Sequence, residues 1–253
     1  MEHLWLLSGA GLLAGAMNAL AGGGSFVTLP ALIAAGVPSV QANASSTVAL
    51  YPGGLASAWT YRDGLGPVCG IPTWRLLVLT LAGGFAGSLL LLWTPAATFS
   101  AILPWLLLFA TLALAFGRRA GLLLRRYVRI GPGPTLAIQF VLGVYGGYFG
   151  GAVGLMMMAV WGLLGEASLK ALNPPRTVLV SAANTVAALT FILAGAISWA
   201  PTLVMLGGAT LGGYAGARLG RVLPSQTVRA ATLLGAGSIT ILFFARAYWP
   251  DLQ

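Results

Sequence analysis

Gly15-Ala-Met-Asn-Ala-Leu-Ala-Gly22-Gly23-Gly24 returns later in the chain as Gly143-Val-Tyr-Gly-Gly-Tyr-Phe-Gly150-Gly151-Ala152. Two further blocks return in the same order. Asn43-Ala-Ser-Ser-Thr47-Val-Ala pairs with Ser181-Ala-Ala-Asn-Thr185-Val-Ala, and Gly83-Gly84-Phe85-Ala86-Gly87 pairs with Gly212-Gly213-Tyr214-Ala215-Gly216. One such match is chance in a glycine-rich chain. Three in order point to a duplicated unit, the feature to seek before any single motif.

What surrounds the repeat is too apolar for water. Of 253 residues, 58% are hydrophobic and 7% charged, whereas a soluble domain carries about 25% charged residues. The mean hydropathy is +0.91. A single cysteine excludes a disulfide framework and a cysteine-rich metal centre. The chain breaks into about ten apolar segments: Leu4–Leu20, Ser25–Ala35, Ala42–Thr60, Trp74–Trp93, Ala101–Gly117, Thr135–Gly150, Ala152–Leu164, Thr177–Ile197, Pro201–Arg218 and Val228–Ala247. Most approach the ~17–25 residues a spanning helix needs. Ser25–Ala35 and Ala152–Leu164 are short, and glycine marks where each begins. Lipid tolerates such breaks only beside protein or a wet cavity. Ala19-Leu20-Ala21 has the look of a signal-peptidase site, but Met1-Glu2-His3 lacks a basic start, so this segment is read as mature protein. The expectation is an all-α polytopic membrane protein, one integral membrane domain, with a first repeat at 1–117, a basic connector at 118–133 and a second repeat at 134–253.

Charge fixes the sidedness. Arg62 and Arg75 form one group; Arg118, Arg119, Arg125, Arg126 and Arg129 a second; Lys170 and Arg176 a third; Arg218, Arg221 and Arg229 a fourth, with Arg246 apart. The loops Val37–Gln41, Thr94–Ser100 and Ser198–Ala200 carry no basic residue. Positive loops stay cytoplasmic, so the net charge of +9 is a membrane address rather than a nucleic-acid surface. Counting Leu4–Ala35 and Thr135–Leu164 as single crossings would put Lys170 and Arg176 outside. Counting each as a two-armed hairpin gives about five helical elements per half and puts all four groups inside. An odd number inverts the second half. Inverted-topology repeats with broken or hairpin helices near the midplane are a recurring plan of secondary transporters, and both termini then lie outside.

Catalytic constellations are nearly absent, and the chain is read as no enzyme and as needing no cofactor or metal. His3 has no partner and Cys69 sits alone in a cytoplasmic loop. The four acids, Glu2, Asp63, Glu166 and Asp251, all fall near membrane ends, so no carboxylate pair is available at depth. Met156-Met157-Met158 reads as a packing stripe. What the repeat preserves is glycine, hydroxyl and amide. The candidate substrate-binding residues are Gly22, Gly23, Gly24, Ser25, Asn43, Ser46, Thr47, Gly150, Gly151, Ser181, Asn184 and Thr185. Asn43–Thr47 open one long helix in this reading, and Ser181–Thr185 lie early in its counterpart. Unpaired N–H groups and a partial positive charge at helix starts, with neutral donors, suit a small oxyanion. The plainer reading is that small residues only let helices pack closely, and it is preferred for Gly83–Gly87 and Gly212–Gly216. Arg176 and Arg218 read first as topology markers, with an anion funnel as the other reading.

With these residues in view, the chain resembles the sulfite exporter TauE/SafE family: Gly15…Gly22-Gly23-Gly24…Pro30 and Asn43-Ala-Ser-Ser-Thr47, repeated as Gly143…Gly150-Gly151 and Ser181-Ala-Ala-Asn184-Thr185. The resemblance implies a multi-pass permease of the cytoplasmic (inner) membrane that moves sulfite, organosulfonates or related sulfur oxyanions. Ala152 departs from the pattern where a third glycine stands in the first half. Thiosulfate carriers of a distantly similar kind rely on several membrane cysteines, so Cys69 alone argues against a thiol relay. The expected partners are a small anion and the lipid bilayer, not nucleic acid, with a homodimer as the further association considered. The alternatives are a scaffold or accessory subunit whose repeats only pack, and a permease for a different small solute. Export is favoured because a cell negative inside drives anions outward, by ~2.3 kcal/mol per charge at 100 mV.

Overall fold

A backbone in lipid must satisfy its own polar groups, which leaves helices or a closed barrel. This chain takes helices. The computed structural model describes residues 2–124, 127, 130–164, 169–219, 222 and 225–248. Arg125, Arg126, Arg129, Glu166, Arg221 and Asp251 lie outside the described residues, as do the side chains of Glu2, His3, Arg118, Arg119 and Lys170. Among the described residues the helices are α1 (Glu2–Ala21), α2 (Ser25–Ala34), α3 (Ser39–Tyr61), α4 (Thr73–Trp93), α5 (Ala96–Leu124), α6 (Pro132–Tyr148), α7 (Val153–Trp161), α8 (Leu169–Leu193), α9 (Trp199–Leu219) and α10 (Ser225–Tyr248). Four stretches, Thr73–Trp93, Ala96–Gly117, Ala171–Leu193 and Gln226–Tyr248, are each long and apolar enough to cross a membrane. The fold is all-α and of membrane type.

Several boundaries differ from the sequence reading, most of all in α5, which starts at Ala96 rather than Ala101, and in α8. α5 runs on to Leu124, through part of the expected connector. α8 starts at Leu169 rather than Thr177 and carries through Pro174 and Pro175. Pro174 packs against Gly64 of a one-turn 3-10 segment, Arg62–Gly64, which lies against the early turns of α8.

The two short arms, α2 and α7, turn back from longer partners. Gly22 (φ +77°) and Gly150 (φ +78°) make the turns in the left-handed region where glycine pays no Cβ penalty. The tips then diverge. Gly24 is right-handed at φ −59°, whereas Ala152 caps α7 at φ +57°.

Packing between halves is reciprocal. α1 lies on α9, and α6 lies on α4, so in each case the first helix of one half pairs with the fourth of the other. Both pairs run parallel on small-residue faces. A Cβ added at Gly87 would strike the Val144 carbonyl, and one at Gly212 would strike that of Leu12. Close backbone approach of this kind is how helices associate where lipid removes the hydrophobic drive. The third helices, α3 and α8, run antiparallel: Thr185 Oγ1 lies 3.2 Å from Tyr51 Oη, and Pro174 meets Gly64 beyond the far end of α3. Arginines over aromatic rings (Arg62 on Trp59 at 4.0 Å, Arg75 on Trp74 at 5.5 Å, Arg218 on Tyr214 at 4.5 Å) cluster where α3 and α9 end and α4 begins. Such amphipathic pairs belong at a membrane–water boundary.

At the opposite end the helix starts are laced together. Ser39 Oγ donates to the Ala96 carbonyl at 3.2 Å and accepts from Ser100 at 2.9 Å, while the Ser198 N–H donates to Ser45 Oγ at 3.0 Å. Apolar packing with Phe26, Leu29, Phe99, Leu107, Met157, Trp161, Leu179 and Phe191 fills the space between.

Candidate functional site

A cavity of about 410 Å³ opens where the two hairpin tips meet the third helices of both halves. α8 lines it with Asn173, Arg176, Thr177, Val180, Ser181 and Asn184, spaced i, i+3, i+4, i+7, i+8 and i+11. That is one face of a helix, roughly 16 Å long at 1.5 Å per residue. Thr47, Leu50, Gly54, Ser57 and Tyr61 of α3 form the facing wall. Asn18, Gly22, Gly23 and Ser25 come from one tip; Gly150, Ala152, Val153 and Gly154 come from the other.

Of the residues expected from the sequence, Gly22, Gly23, Ser25, Thr47, Gly150, Ser181 and Asn184 line this cavity. Gly24, Asn43, Ser46, Gly151 and Thr185 do not. Asn43 is 2% exposed and its Nδ2 donates to the Tyr148 carbonyl at 2.9 Å. Ser46 is hydrogen-bonded to Thr28. Thr185 donates to the Ser181 carbonyl at 2.8 Å or to Tyr51 Oη. Gly24 is enclosed by Ala14, Asn18 and Leu50, and Gly151 lies against Phe149 and Ala110. Thr47 reaches the cavity, yet its hydroxyl bonds back to the Asn43 carbonyl at 3.0 Å.

The helix starts at the cavity are also not the expected ones. α3 begins at Ser39, so Asn43 to Thr47 sit in its second and third turns, and Ser181 to Asn184 lie midway along α8. The N-termini that reach the cavity are those of the short arms. The N–H groups of Ser25, Val153 and Gly154 precede the first intrahelical bonds of α2 and α7, and none has a backbone acceptor.

Residues that the repeated blocks do not share supply much of the polar lining: Asn18, Ser57, Tyr61, Asn173, Arg176 and Thr177. For α8 a signal was present, since 173, 176, 177, 180, 181 and 184 keep helical spacing in the sequence. Asn18 and Tyr61 gave none. Carboxylates are absent from the lining among the described residues; the ion pair present there is Arg62 with Asp63 at 3.5 Å, on the surface. Nor do the described residues hold any group of three His, Cys, Asp or Glu placed for a metal. Cys69 turns its thiol toward the Trp161 carbonyl at 3.7 Å, and burial pushes its pKa up, which keeps it protonated and slow to react.

The chain can now be set beside known proteins. The pattern of the family described as "Sulfite exporter TauE/SafE" matches residues 7–243. A "Probable membrane transporter protein" of Haemophilus influenzae is 31% identical over 87% of this chain and 86% of its own length. The "Probable membrane transporter protein YfcA" of Escherichia coli K12 is 31% identical over 82% of this chain and 77% of its own. The "Probable membrane transporter protein ORF9" of Sinorhizobium sp. is 28% identical over 95% of this chain and 92% of its own. No solved structure matches.

Proposed function

Because the chain belongs to the sulfite exporter TauE/SafE family and is a multi-pass membrane protein, we propose that it exports small sulfur-containing oxyanions, sulfite or organosulfonates, across the cytoplasmic membrane. The observation that carries this reading is the cavity at the two hairpin tips, polar on both third helices and without a carboxylate among its described residues. A cation site at depth needs carboxylates or rings of carbonyls; an anion needs N–H and O–H donors in a desolvated place.

The two halves, 1–117 and 134–253, act as inverted repeats around this site. Antiparallel α3 and α8 and the reciprocal pairing of first with fourth helices support that plan. With the basic ends cytoplasmic, the mouth at Tyr61 and Asn173 faces inward, and the laced starts of α3, α5 and α9 close the outer side. Purified protein in liposomes loaded with sulfite tests the proposal. Efflux should exceed that of empty liposomes and rise when the interior is made negative. No efflux of sulfite or of a simple sulfonate would overturn it in favour of the scaffold reading.

A further inference from the structure

Resting on the permease reading, we infer that Arg176, laid across the start of α7, is the charge-bearing half of the anion site, and that the substrate completes it. Arg176 is partly buried, lines the cavity, and faces no carboxylate among the described residues. Its stem lies over Gly154: a Cβ there would come within 3.3 Å of both Arg176 Cγ and Cδ. Its Nη1 reaches Met158 Sδ at 3.8 Å, one turn further along α7. The stem thus crosses α7 at Gly154, and the free N–H groups of Val153 and Gly154 open on the same cavity that Arg176 lines. That arrangement is unfavourable in isolation. A helix N-terminus carries about half a positive charge and repels a cation, and a desolvated cation wants a counter-charge. An oxyanion between the guanidinium and the N–H groups satisfies both, accepting a forked pair from arginine and single bonds from the backbone.

The first half has no such group. Aligning Asn43–Thr47 with Ser181–Thr185 sets Pro38 opposite Arg176. The cation is thus a one-sided addition to the duplicated plan, and Gly154 replaces the Phe26 that stands at the same place after the first tip. Absence of a side chain at 154 is what lets the arginine lie down.

Binding of sulfite to the purified chain, followed by equilibrium titration, tests this. Arg176→Gln should weaken binding by roughly 10–100-fold, the range expected for losing a charge-assisted bond, while Arg176→Lys, which keeps the charge and loses the fork, should fall between it and the parent. Gly154→Ala, which leaves the charge but displaces its stem, should weaken binding several-fold and serves if Arg176→Gln does not fold. Arg75→Gln, an exposed control over Trp74, should bind as the parent does. If the parent binds sulfite and Arg176→Gln, or Gly154→Ala where only it folds, binds equally well, the inference fails and the permease reading stands. If the parent binds neither sulfite nor a sulfonate, the permease reading fails and takes the inference with it.

Discussion

Asn43 and Ser181 occupy matching positions of the repeated block, as do Ser46 and Asn184, yet their side chains have parted company. Those of the first half are spent on internal bonds: Asn43 on the Tyr148 carbonyl, Ser46 on Thr28. Those of the second half line the cavity. The amides therefore respond differently to the same change. Asn184→Asp should leave folded yield near normal and weaken sulfite binding at least tenfold, because a carboxylate repels the ligand as well as losing a donor. Asn43→Asp places a carboxylate where a donor is needed at a buried carbonyl, a cost of about 1–3 kcal/mol or more, and should show as lost yield in size-exclusion profiles. Equal yield and equal affinity for both would remove the distinction. The sequence could not reveal it: symmetry names the residues that are shared, while a site in one conformation uses the residues that differ. Arg176, Asn173 and Asn18 have no matching polar partner in the other half, so repetition gives no signal for Asn173 or Asn18, and Arg176 reads from its charge alone, as a topology marker or an anion funnel.

At the scale of elements, glycine spacing carries most of what was legible. The blocks Gly83–Gly87 and Gly212–Gly216 read as packing faces, and they are the contacts of α4 with α6 and of α9 with α1. Which glycine bears the load was not legible, because it depends on rotation about the helix axis. Gly213 has only ordinary contact, 3.8 Å to the Gly15 carbonyl for an added Cβ, whereas Gly87 and Gly212 meet backbone. Gly213→Ala should thus express and melt like the parent. Gly87→Ala and Gly212→Ala should lower thermal stability and yield, by about 1–3 kcal/mol if the helices can part slightly. A Gly213→Ala variant as damaged as Gly212→Ala would mean that α1 and α9 meet on another face. The early start of α8 escaped the sequence for a similar reason: Pro174 and Pro175 break helices on local grounds, and what holds them helical is a turn more than a hundred residues away in the chain.

For the whole molecule, hydropathy and charge sufficed to predict an all-helical membrane fold, but the orientation of its halves rests on the count of five elements each. That count makes a directional statement about every loop. The aromatic–arginine pairs at Trp59, Trp74 and Tyr214 mark one boundary, and Thr94, Pro95 and the first turn of α5, free of basic residues, lie at the other end of α4. On the orientation proposed from the positive-inside rule, the first face is the cytoplasmic one. In a Cys69→Ser background, a cysteine at the exposed position Ala97 should react with a membrane-impermeant maleimide added outside the cell, and one at Gly66 only after the membrane is opened. With the membrane opened, the unsubstituted Cys69 should label slowly near pH 7 and faster as pH rises, since its raised pKa defers the thiolate to alkaline conditions. Gly66 and Ala97 flank α4 and so lie on opposite sides, and the five-plus-five count with the basic groups inside requires 97 to be outside. Labelling of 97 from the cytoplasm alone would reverse the molecule in the membrane and turn the Arg176 mouth outward.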